Sequence, residues 1–419
     1  MTDISPQDNP LPATGNDISV GRLLGIGLAT RLLIDTGVQI FFPFMPIIAQ
    51  GMGLSTVIMG RLISLRSLMG LFSPLFGTMA ERRGYRYTMR LSLLLVGSGF
   101  FMVGMSRSIW LAAPGMALVG LGSFSFVPTL QAYLSNRLPY HQRARGLGIL
   151  EYAWALSGIV GLYLVGQMLN VVSWQLPFFI MGGCLLIASM LYTWLPSVHT
   201  ESMAETAVPP SAATHKWQTL INFFDLGSNN RSAFATVITG CLLMFGAFDL
   251  FINYGTWLFA DFGLTAAGLG QVALVMGLAD LCGSVSVSMV SDRYGKRRSV
   301  LTGAIIACIG FWTLPFLATT LITAVIGLII ARSAFEFAIV ANMTLLSEQA
   351  PSQRAKLMTL GAAFSVLSTG LAGLTGPWTF EQWGLMGMSA ISGSAMLFSI
   401  FILLWGVREP ETTVHTKQS

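Results

Sequence analysis

Eight charged side chains stand in the middle of long apolar runs of this 419-residue chain: Arg31, Asp35, Arg66, Glu151, Asp249, Asp280, Arg332 and Glu336. In hydrocarbon each costs about 2.5 to 3.5 kcal/mol, so the set costs roughly 20 kcal/mol before any pairing. Side chains that expensive pair with one another or line an interior wet chamber, and they mark a route for ions or polar solutes. Arg31 and Asp35 are four residues apart, as are Arg332 and Glu336. Each of these pairs shares a helix face and is expected to form an ion pair. Arg66 is then left against Glu151, Asp249 and Asp280, an excess of acids. A carboxyl without a partner in low dielectric favours its neutral form. Such a group takes up a proton from one side and releases it where its surroundings change.

Two polar stripes accompany the charges. Asp249, Asn253 and Trp257 follow at spacing four, with Tyr254 beside them, and Asp35, Gln39 and Pro43 do likewise in the first run. Asp249 answers Gln39 at an offset of 249 − 39 = 210, which puts the stripes at matching depth. They are expected to form facing walls of a central pocket, a few polar groups among aromatics such as Phe41, Phe42 and Trp257, as small-molecule sites generally are. The alternative is that they only join helices by hydrogen bonds. The membrane runs hold no His, no Cys cluster and no nucleotide loop. Enzymatic, metal-dependent and ATP-driven chemistry are therefore not expected, and no cofactor is called for; an ion gradient is the expected driver.

The elements that hold these residues are membrane helices. Hydrophobic residues make up 53% of the chain and charged residues 10%, far from the quarter of charged residues usual in soluble proteins. A spanning helix needs about 20 apolar residues. Twelve such runs lie near 22–48, 56–79, 88–106, 110–134, 144–168, 174–195, 232–260, 266–290, 299–316, 320–346, 355–378 and 385–406. The fold class is thus an all-α membrane protein. With the N-terminus inside, almost every Lys and Arg of the connecting segments falls on one side, and Arg107 alone falls on the other. Basic loops are retained in the cytoplasm, so both termini are expected there, in a cell (inner or plasma) membrane. The net charge of +5 is explained by that retention and needs no nucleic-acid partner. Residues 1–17 show no removable signal peptide. The four cysteines read as buried free thiols.

The runs divide into two sixes: 1–195, a linker at 196–231, and 232–419. Within the linker, Trp217, Leu220, Ile221 and Phe224 suit either a short amphipathic helix on the inner surface or a disordered connector. The sixes are related. Gly77, Glu81, Arg82, Gly84 and Arg86 sit between the second and third runs, and Asp292, Arg293, Gly295 and Arg297 between the eighth and ninth, at an offset of 292 − 81 = 211. Gln142-Arg143-Ala144-Arg145 is answered by Gln353-Arg354-Ala355-Lys356 at the same offset.

This loop, present twice, with six plus six helices around a middle linker, resembles the major facilitator superfamily, and more loosely its drug and proton exchangers. The resemblance covers nearly the whole chain. It implies two pseudo-symmetric six-helix bundles rocking about a central site lined by helices 1, 4, 7 and 10. It also implies a cytoplasmic latch of Glu81, Arg82 and Arg86, with Asp292, Arg293 and Arg297 as the weaker copy, holding the bundles together in the outward-open state. Two departures stand out. Met116 occupies the place of the exchangers' helix 4 Arg ahead of Gly120-Leu121-Gly122, a charge that Arg332 or Arg66 would have to supply. The helix 5 run Gly161 to Gly166 lacks their Pro. The expected function is alternating-access transport of a small organic solute, as proton-coupled efflux or as import of a polar or anionic metabolite clamped by Arg66, Arg31 or Arg332. Lipid, solute and protons are the expected partners of a monomer.

Overall fold

The computed structural model describes residues 20–138, 140–195 and 229–408. The two terminal segments and most of the linker, with Trp217 to Phe224, lie outside the described residues. Among the described residues ten helices are long and apolar enough to span a membrane, and the bent pair at the start of the chain makes an eleventh. The last of the ten, Arg354–Gly406, runs 53 residues, but Gly384 at φ 59°, ψ −152° divides it in two. At 1.5 Å per residue an unbroken helix of that length would measure about 80 Å, more than twice the hydrocarbon core. Twelve spans result. They are α1 (Val20–Gln39, continuing as Phe41–Met52), α2 (Thr56–Arg83), α3 (Tyr85–Met105) and α4 (Ile109–Arg137). Next come α5 (Tyr140–Leu156, through a π-helical turn to Tyr163–Leu169), α6 (Leu176–Trp194), α7 (Asn230–Phe251, then Tyr254–Phe262) and α8 (Ala266–Tyr294). The last four are α9 (Lys296–Leu317), α10 (Leu321–Gln349), α11 (354–383) and α12 (385–406).

Three local features shape the path of the chain. Pro43 has no N–H for the carbonyl of Gln39, and its ring collides with that carbonyl; α1 bends there by 58°. In α7 the break comes without proline. The Asn253 amide bonds back three residues to Leu250 at 2.9 Å, and its side chain caps the freed Asp249 carbonyl at 3.2 Å, the local competition typical of Asn. The turns after α2 and α8 both need a positive φ, supplied by Gly84 at 89° and Gly295 at 96°, which other residues rarely adopt.

The halves meet along α2 and α11, α5 and α8, and the bent parts of α1 and α7. Small residues make these contacts possible. A Cβ on Gly166 would lie 2.7 Å from the Cα of Gly270, one on Gly60 2.3 Å from the Gly373 carbonyl, and one on Gly255 2.1 Å from the Pro43 carbonyl. All three lie between the midplane and the face opposite the basic loops. Toward the basic face the contact between α5 and α8 thins out, and the Glu151 side chain is exposed. The molecule is therefore closed at the far face and open at the basic face. All four cysteines are free thiols, but Cys184 and Cys282 are exposed and only Cys308 is fully buried.

Candidate translocation site

The intramembrane charges form two clusters and two separate stations. In the first cluster Arg31 of α1 donates two hydrogen bonds across to Glu151 of α5, at 2.7 and 2.8 Å. Gln131 of α4 donates to the same carboxylate at 2.7 Å. Asp35 keeps an ion contact with Arg31 at 3.4 Å. The neighbour on the same helix is thus the looser partner. The i, i+4 geometry lets Arg31 reach Asp35 only along the helix axis, whereas Glu151 meets its planar fork face on.

In the second cluster Arg332 of α10 holds Asp280 of α8 by two bonds at 2.5 and 2.8 Å. The Arg332 guanidinium also lies 4.6 Å from the centre of the Phe251 ring of α7, a favourable cation–π contact. The expected pairing of Arg332 with Glu336 is replaced: Glu336 accepts from Ser284 of α8 at 2.9 Å. Asp280 and Glu151, expected to be left over, are the paired acids. Asp35 and Glu336 are the looser ones.

The two other stations depart from expectation. Among the described residues Arg66 reaches no carboxylate. It donates to the Val38 carbonyl at 2.6 Å, beside the bend of α1, and lies 5.6 Å over the Phe41 ring. Asp249 is wholly buried against α11, where Thr375 donates to it at 2.5 Å. The stripe of α7 accordingly does not face the stripe of α1. Asn253 caps its own helix, and Trp257 is buried with its indole donating to Asp261 at 2.8 Å. Asp249 precedes the break and Asn253 follows it, yet both sit against α11 at Gly376.

What meets at the midplane is Gln39 and Phe42 of α1, Gly158 and Leu162 of α5, Phe251 and Tyr254 of α7, and Asp280 and Arg332. They enclose about 20 Å³, room for about one water. The Gln39 amide is held by the Trp154 carbonyl at 3.1 Å and by the Ser157 hydroxyl. Met116, where the exchangers' Arg would stand, is buried and apolar. Glu151, Gln131, Ser284 and Glu336 lie below this cavity on the open side. Thr375, Ser284 and Gln131 were not singled out from sequence, since a lone hydroxyl or amide in an apolar run carries no periodic signal.

The loop residues have local partners in this conformation. Arg86 donates to the carbonyls of Thr193 and Leu195 at 3.2 and 3.1 Å, closing the end of α6. Arg297 does the same for Leu403 and Leu404 of α12 at 3.4 and 2.9 Å. Each arginine thus binds the last helix of its own half, where the expected latch spans the halves. Glu81, Arg82 and Arg293 are exposed, Gly77 faces open space, and the side chain of Asp292 is outside those described.

Twelve membrane helices in two packed halves, closed at one face around a charged midplane, define a multi-pass membrane carrier. The family model of the Major Facilitator Superfamily matches residues 28–286 and again 236–419, and the chain belongs to that superfamily of secondary transporters, which are carriers and not enzymes. It is 25% identical over 373 residues to an uncharacterized MFS-type transporter, YwfA, of Bacillus subtilis, covering 88% of this chain and 87% of that one. It is 21% identical over 382 residues to a multi-drug resistance efflux pump PmrA homolog of Lactococcus lactis, covering 89% and 91%. Among solved structures a D-xylose-proton symporter superposes with a TM-score of 0.74 at 17% identity, covering 94% and 99%.

Proposed function

We propose that this carrier exports small amphipathic or cationic organic compounds from the cytoplasm in exchange for protons, and that the basic face is cytoplasmic. The single observation behind this reading is the charge balance at the midplane and just below it. Four carboxylates, Asp35, Glu151, Asp280 and Glu336, stand against two arginines, Arg31 and Arg332. Asp35 and Glu336 are left with loose or neutral partners, so an organic cation entering from the basic face and a proton compete for the same acids. The efflux function printed for the Lactococcus lactis relative agrees with it. Uptake of an anionic solute is less well supported, because Arg31 and Arg332 already hold carboxylates bidentately and Arg66 is spent on a backbone carbonyl.

Retention of basic loops supports the orientation, and it makes the conformation described here inward-open. Purified protein reconstituted into liposomes with a lipophilic cationic dye tests the function. A pH gradient of the right sign should drive dye to accumulate, and an ionophore that collapses the gradient should abolish accumulation. Undiminished accumulation after collapse would refute proton coupling, and uptake of organic anions instead of cations would refute the substrate class.

A further inference from the structure

The seam between α7 and α11 carries a polar group that the midplane cavity does not use. Asp249 is 0% exposed; its Oδ1 accepts from Thr375, and its Oδ2 has no hydrogen-bond partner. One turn further, Asn253 is also 0% exposed, and its Oδ1 has no partner either. Gly376 presses α11 onto this turn: a Cβ there would lie 2.3 Å from the Asp249 carbonyl and 2.4 Å from Asn253 Nδ2. No ion pair among the described residues reaches Asp249, and the side chain that bonds to it from α11 is the neutral Thr375. The arginine of the same half, Arg332, is taken by Asp280.

The related half shows what is different here. At the matching position stands Gln39, whose amide supplies hydrogens to Ser157 and Trp154. The same station thus holds a donor in one half and, in the other, a carboxylate one turn from a second bare acceptor on the same helix face. Two buried acceptors with no donor between them lack one hydrogen. We propose that Asp249 is a proton-carrying site separate from the central chamber. Its proton sits on Oδ2 and is donated to Asn253 Oδ1. It exchanges with water when rocking withdraws α2 from α11, against which Gly60 and Ser64 now pack. An oxygen-ligated metal cation fits less well, since it needs about six oxygens and this turn of α7 offers two bare ones, Asp249 Oδ2 and Asn253 Oδ1.

The inference rests on the proton-coupled reading and names one of its carriers. Infrared difference spectra of the purified full-length protein, titrated with pH, test it without any substrate. A protonated carboxylic acid band should be present in the native protein, absent in Asp249→Asn and retained in Glu336→Gln. In Asn253→Ala the band should shift, having lost its acceptor. In liposomes, Asp249→Asn should lose accumulation of the cationic dye against its gradient and keep downhill flux. A band indifferent to Asp249→Asn, or one displaced by sodium chloride at fixed pH, would overturn the proposal. If Asp249→Asn does not fold, an unshifted band in Asn253→Ala overturns it as well. Gradient-driven flux that survives Asp249→Asn but not Glu336→Gln would remove Asp249 as a carrier and leave proton coupling standing.

Discussion

Arg332 donates two hydrogen bonds to Asp280, with side chains only 6% and 4% exposed, so the loss of either member leaves a bare charge inside the bundle. Asp280→Asn should therefore cost about 3 to 5 kcal/mol, read as a lower unfolding temperature in detergent. Asp280→Asn combined with Arg332→Met should recover part of that loss, because no bare charge is left and only the smaller cost of an unpaired amide remains. Arg31 and Glu151 have nearly the same bond lengths, but the Glu151 side chain is 55% exposed in the open vestibule. Arg31, 8% exposed, keeps Asp35 at 3.4 Å when Glu151 is neutralised, and Glu151→Gln should cost about 1 kcal/mol or less. A larger loss for Glu151→Gln than for Asp280→Asn would mean that exposure is not what separates the two pairs.

Among the elements, the seam of α5 and α8 decides which face is closed. Gly158 and Gly166 lie against Gly277 and Gly270 with backbone on both sides, so neither helix can yield to an added side chain. Gly166→Val should part the helices at the far face and shift the population toward the conformer closed at the basic face. Spin labels placed across each face would report this as a longer far-face distance and a shorter basic-face one; unchanged distances would contradict it. Gly183→Ala in α6, with nothing within 4 Å of the new Cβ, should change stability by no more than about 0.5 kcal/mol.

For the molecule as a whole, alternating access requires that one set of side chains be reachable from one face at a time. In the conformation described, Ser284 and Gln131 lie on the open side and Gly270 on the closed side. With the native cysteines replaced, Ser284→Cys and Gln131→Cys should react with a membrane-impermeant thiol reagent applied at the basic face. Gly270→Cys should stay protected from that face. Reaction of Ser284→Cys from the far face alone would invert the picture.

The chain's own chemistry determined that it is a membrane protein, where its spans lie, that its halves repeat, and which charges lie within the spans, because hydropathy, spacing and self-similarity are properties of a linear string. The bend of α1 was signalled by Pro43. Partner choice was not legible: spacing four suggested Arg332 with Glu336, whereas packing of α8 on α10 offered Asp280 a face-on approach to the guanidinium fork. The depth of Asp249 was readable, but its direction was not. It is set by the packing of α11 on α7 through Gly376, and the Thr375 hydroxyl lies 126 residues away in sequence. Side-chain cost is paid locally and can be read locally; which neighbour offsets it depends on how helices from distant parts of the chain are set against one another, and only the tertiary structure decided that.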